Sequence, residues 1–165
     1  MKIAPVVFAA SLCLAAPALA DGKVYVQLPD MSYFGGEIGE DFLYQLVLAN
    51  VVSSNCPGFE VTDAEWSLLT DSADLLAYGE LKLGTNDFDN LFYDPAFAAL
   101  DEPTTCAEEG PAVEEILTEL VEHGGSREPL PDQEKAYAEW RVLMDNLHAQ
   151  AEAPEAAPQG KIKHK

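Results

Sequence analysis

The chain has 165 residues, 29 acidic against 9 basic side chains, a formal net charge of −20 and 48% hydrophobic residues. A surface this acidic repels nucleic-acid phosphates and anionic membranes, so neither is an expected partner, whereas a basic protein surface is electrostatically favoured. The apolar fraction is too high for a disordered polyanion and suits one folded domain.

Residues 1–20 read as a cleavable signal peptide. Lys2 supplies the positive start, Val6 to Ala16 the apolar run, Pro17 the helix break, and Ala18-Leu19-Ala20 the small residues before a cleavage point between Ala20 and Asp21. A membrane anchor needs about 20 apolar residues, and this run stops short at Pro17. The expected location is therefore periplasmic or secreted, with no membrane attachment after cleavage. Loss of Lys2 makes the charge −21, and loss of Cys13 leaves Cys56 and Cys106 as the mature cysteines. In an oxidising compartment that pair is expected to form a disulfide. Closing a loop of about 51 residues stabilises by roughly 4 kcal/mol in the chain-entropy model. Redox and metal-binding pairs normally lie only a few residues apart.

Residues 21–36 read as an extended arm, with a strand-like Lys23 to Leu28 ended by Pro29-Asp30 and Gly35-Gly36. A helical domain follows over 37–150. Ile38, Phe42, Leu43, Leu46, Val47, Ala49 and Val52 recur at helical spacing and predict the most buried helix, stopped by Cys56-Pro57-Gly58. Thr62-Asp63-Ala64-Glu65 is a capping-box pattern opening a second helix, with Trp66, Leu69, Ala73 and Leu76 along one face and Gly84 as its stop. From Thr85 to Pro103 the aromatic and aspartate pattern predicts only one or two short helical turns. Val113, Ile116, Leu117, Leu120 and Val121 mark a third helix ending at Gly124-Gly125. Pro131, Asp132 and Glu134 open a fourth, with Tyr137, Trp140, Met144 and Leu147 at intervals of three and four. Residues 151–165, rich in Ala, Pro and Glu, are expected to form a disordered tail. The predicted class is mainly α: a four-helix single domain with an extended N-terminal arm, one disulfide and that tail.

Chemistry-bearing motifs are sparse. Asn86-Asp87-Phe88-Asp89-Asn90 with Asp94 is oxygen-rich, but it lacks the glycine and terminal glutamate of a calcium loop, and Leu91 takes a ligand position. His123, His148 and His164 are scattered, the first two near predicted helix ends where a positive charge suits the dipole. There is no G-x-S-x-G elbow, and Gly35-Gly36 and Gly124-Gly125 lack the spacing of a phosphate-cradling loop. No catalytic residue, metal ligand or cofactor is assigned.

Asn55-Cys56-Pro57 at a helix end, followed by a helical segment and then Cys106 before an amphipathic helix, resembles an uncharacterised family of small exported bacterial proteins. These share an N-C-P motif, a second cysteine about fifty residues on and a mostly helical core; the resemblance covers roughly residues 40–123. It implies an exported, disulfide-bonded helical protein and carries no assigned activity. The chain is also similar to small periplasmic acid-stress chaperones, which are helical, exported and held by one disulfide. The expected function is a non-enzymatic binding or protein-interaction role. Two alternatives are a pH-dependent holdase, loosened as carboxylates protonate, and an acidic immunity or inhibitor protein covering a basic enzyme.

Overall fold

The apolar run after Gly36 forms α1, Gly36–Asn55, the central helix of the fold. It buries Phe42, Leu43, Leu46, Val47, Leu48, Ala49, Val51 and Val52, too wide a set for a one-sided amphipathic helix, so neighbours must surround it. Here α2 (Asp63–Asp74), a helical stretch over 85–99 and α6 (Ala112–Glu122) supply those neighbours. The structure is a computed structural model, and it describes residues 22–152. The signal peptide with its Ala20–Asp21 cleavage point, and residues 153–165 of the tail, lie outside the described residues.

Thr62 caps α2 as its sequence predicts. Its hydroxyl accepts from the Glu65 amide while the Glu65 carboxylate accepts from the Thr62 amide, so two otherwise orphaned donors are satisfied. Past Asp74 the helix widens into a π-helical turn, Leu75–Glu80. The stop comes earlier than Gly84: Lys82 adopts the left-handed conformation, φ 55°, and the Leu83 amide reaches back to the Ala77 carbonyl at 2.9 Å. This is the usual left-handed helix ending, lengthened by the extra residue of the π turn.

The four-helix expectation needs correction at residues 85–99. In place of one or two short helical turns, α3 (Thr85–Phe88), a π-helical turn (Asp89–Tyr93) and α4 (Asp94–Ala99) follow without a break. Phe88, Phe92 and Ala96, spaced by four, are its buried face. The irregular aromatic and aspartate pattern hid this continuity in the sequence, and Pro95 lies in the first turn of α4. Proline removes one amide and crowds the preceding turn, and the π widening just before it accommodates that defect. A single turn, α5 (Thr105–Glu109), then leads into α6.

Cys56, just past the end of α1, and Cys106 in α5 bring their sulfurs to 2.09 Å, with Cα atoms 5.4 Å apart. The bond ties the central helix to the start of the α5–α6 segment. Phe59 lies against Gly110 beside it, in space that any side chain at position 110 would fill. Among the described residues no helix is long and apolar enough to cross a membrane.

The N-terminal arm is extended but far from peripheral. Tyr25, Val26, Met31 and Phe34 are buried, and the Phe34 ring stacks on Phe42 of α1 with centroids 4.1 Å apart. The arm pairs with the segment before α7 (Gln133–Ala151) through an isolated antiparallel bridge, Val26 to Pro129. The amides of Ser126 and Leu130 donate to the Gln27 and Tyr25 carbonyls, both at 2.9 Å, and the Gln133 side chain bonds both the amide and the carbonyl of Tyr25. Helix α7 itself buries only Ala136 and Met144, resting mainly on the π turn that follows α2.

Candidate functional site

Three helical positions of α2 that read as polar from sequence face inward. Ser67 and Asp71 are buried and Asp74 is half-buried; spaced i, i+4 and i+7, they share one side of the helix, which at Asp71 meets Lys23 of the arm and Trp140 of α7. Asp71 is 1% exposed. Its Oδ1 accepts from the Lys23 ammonium at 2.5 Å, a pair joining α2 to the arm. The same ammonium sits 3.9 Å from the centroid of the Trp140 ring of α7 and 5.7 Å from that of Tyr25. Tyr25 in turn packs against Tyr137 and Trp140, with centroids 5.7 and 5.6 Å away. One lysine therefore gathers a buried carboxylate and an aromatic cluster from three separate parts of the chain, and cation–π attraction adds to the ion pair.

The electrostatics are those of a site short of positive charge. Burial pushes the Asp71 carboxyl above its ordinary range, with Lys23 pulling the other way. One turn further, Asp74 is pushed up to about 7, first by desolvation and then by the neighbouring Asp71 charge. Burial likewise raises the phenol of nearby Tyr93, and the Asp74 charge adds to that rise. Beside the cluster opens a cavity of about 210 Å³ whose lining includes Tyr25, Gln27, Asp71, Glu139, Trp140 and Leu143.

A second acidic feature differs in kind. Between α1 and the α5–α6 segment lies a groove of about 250 Å³ with Leu48, Ala49 and Ile116 as apolar lining and Gln45, Glu109, Glu115 and Glu119 as polar lining. The sequence between Lys82 and Arg127 contains no lysine or arginine, so nothing basic on α3 to α6 offsets these carboxylates.

Asn86, Asp87, Asp89, Asn90 and Asp94 lie exposed along α3 and its continuation. Among the described residues no group of three or more His, Cys, Asp or Glu is gathered to hold a metal ion. His123 follows α6, its carbonyl accepting from the Asp30 amide at 2.9 Å and its ring stacked near Tyr33, so it serves to seat the arm. His148, in the last turn of α7, meets the Tyr78 ring edge-on at 4.2 Å. His164 lies outside the described residues.

Asp71, Asp74, Lys23 and Trp140 were not singled out by sequence as a site. The available signal was weak: a serine and two aspartates at helical spacing normally mark a solvent-facing stripe, and only the arm and α7 folding over them reverse that meaning. The chain matches no protein-family model, and no curated protein or solved structure is significantly similar to it.

Proposed function

We propose that this is an exported, non-enzymatic binding domain whose α1/α6 groove takes a basic partner protein. The observation that carries the reading is the groove itself: apolar lining from Leu48, Ala49 and Ile116 beside Glu109, Glu115 and Glu119, on a part of the chain with no cation of its own. Such a surface suits a segment that presents lysine or arginine beside an aliphatic residue. Its field steers a basic partner at long range, and the carboxylates along the groove fix its orientation once docked. The Cys56–Cys106 bond fits the oxidising compartment that the signal peptide implies, periplasm or medium.

Affinity capture from periplasmic extract at low and high salt tests the reading. We expect a basic protein retained at low salt and released at high salt, with association slowed by salt and lost in Glu115→Lys/Glu119→Lys. Capture that ignores both salt and charge reversal would contradict it.

A further inference from the structure

We propose that the chain's own segment Lys161-Ile162-Lys163-His164-Lys165 occupies the α1/α6 groove and must leave it before a basic partner docks. This rests on the groove reading above and adds its regulation: the site is covered in cis by the chemistry it takes in trans.

The cations of the chain are unevenly placed. Of its nine basic side chains, three fall within residues 161–165 and none between Lys82 and Arg127, the stretch that carries α6. Lys23 is taken by Asp71, Arg127 by Glu65 and Glu114, and Lys135 by Glu139. The groove has the opposite imbalance. Its Glu115 and Glu119 also border a neighbouring depression of about 340 Å³, which Glu122 helps to line, so the acidic surface continues along α6. Among the described residues, Glu109, Glu115, Glu119 and Glu122 form no ion pair.

Spacing matches as well as sign. Glu115, Glu119 and Glu122 stand at i, i+4 and i+7 on one side of α6, with neighbours about 5–6 Å apart. Lys161, Lys163 and Lys165 alternate with Ile162 and His164, and in an extended segment such alternate residues share a face at a repeat of about 6.5–7 Å. Three ammonium groups on flexible stems can therefore meet three carboxylates in register.

The tether is long enough. Helix α7 ends with Leu147 against Gly79 and His148 against Tyr78, both in the π turn that packs on α1. From Glu152 to Lys161 an extended chain spans about 30 Å, against a radius of gyration of about 14 Å for a domain of this size. A tether this short gives an effective concentration in the millimolar range, so a groove affinity of about 0.1 mM already keeps the site mostly filled.

Two measurements on the full mature chain test the proposal. Carbodiimide coupling joins a lysine amine directly to a carboxylate that it touches; peptide mapping of an equal mixture of 15N-labelled and unlabelled chains then separates links within a chain from links between chains. We expect Lys161, Lys163 or Lys165 joined to Glu115, Glu119 or Glu122 of the same chain, and the links lost at about 0.5 M sodium chloride. Links spread evenly over the carboxylates of the arm, α6 and α7, or found only between chains, would overturn it. A fluorescein-labelled peptide of residues 156–165 is the probe for the open groove. It should bind Lys161→Gln/Lys163→Gln/Lys165→Gln more tightly than the natural chain by roughly fivefold or more, because the competing segment is disabled. Lys82→Gln/Lys135→Gln/Arg141→Gln removes the same charge elsewhere and should not reproduce the gain. Equal gains from the two variants, or none from the first, would sink the self-occupancy while a basic partner captured at the groove left the groove reading standing. Intrachain links with no partner captured would do the reverse.

Discussion

Two acid–base triads in this molecule have the same composition and opposite behaviour. Arg127 serves Glu65 and Glu114; Lys23 serves Asp71, with Asp74 beside it. Arg127 donates to both Glu114 oxygens at 2.6 and 2.9 Å and through Nε to Glu65 at 2.5 Å, fastening the 126–130 segment to α2 and α6. The Arg127 hydrogen bond holds the Glu114 carboxyl below its ordinary range. Burial works against ionisation of Glu65, but hydrogen bonds from Thr62 and Arg127 together outweigh it and its pKa is lowered too. In the Lys23 triad burial wins, and both aspartates are raised. One cation for two carboxylates is thus adequate at the surface and inadequate under the arm, because desolvation, not pairing, decides the balance inside.

Breaking the buried triad should have the largest effect. Lys23→Met leaves Asp71 and Asp74 without a cation, and urea unfolding at pH 8 should show a loss of about 3–5 kcal/mol. At pH 5 the loss should shrink, because the carboxyls take up protons instead. Asp74→Asn should do the reverse. A carboxyl moved from 3.8 to about 7 costs the fold about 2–4 kcal/mol once ionised, so the variant gains that much at pH 8 and nothing near pH 3.5. At the surface triad, Arg127→Ala should cost about 1–2 kcal/mol at pH 7. That loss should fade as pH falls through the lowered Glu65 and Glu114 values, since the stability these groups supply exists only while they are ionised. Glu114→Gln alone should cost about 0.5 kcal/mol or less, its side chain being 66% exposed. Equal effects from the two triads would refute the contrast between them.

The contrast also marks what the sequence could and could not reveal. The surface triad begins in a capping box that is legible as Thr62-x-x-Glu65, and the apolar periods of α1, α2, α6 and α7 locate the long helices. The buried triad was illegible because its meaning is tertiary. Ser67, Asp71 and Asp74 repeat at helical spacing and look solvated, while Trp66, read as a core position, is 39% exposed, and Ile38 likewise is 66% exposed. Period alone fixes which residues share a face and not which face is covered. The arm decides that, and its short mixed pattern gives no sign that Tyr25, Met31 and Phe34 are core. The π turns were also invisible, since an added residue per turn leaves no compositional mark.

The central claim, that an under-neutralised carboxylate cluster lies beneath the arm, is tested most directly by the pH dependence of unfolding free energy for the natural chain and for Asp74→Asn between pH 8 and pH 5. Asp74 has its folded-state pKa raised, so the folded chain retains a proton that the unfolded chain has released. Its contribution to stability is fully present below about 3.8 and is lost as pH rises through about 7. The account predicts that the natural chain gains stability on acidification across this window while Asp74→Asn stays nearly level. Parallel profiles, or a natural chain that loosens steadily as pH falls from 8 to 5, would contradict it, and the second outcome would favour the acid-triggered holdase alternative.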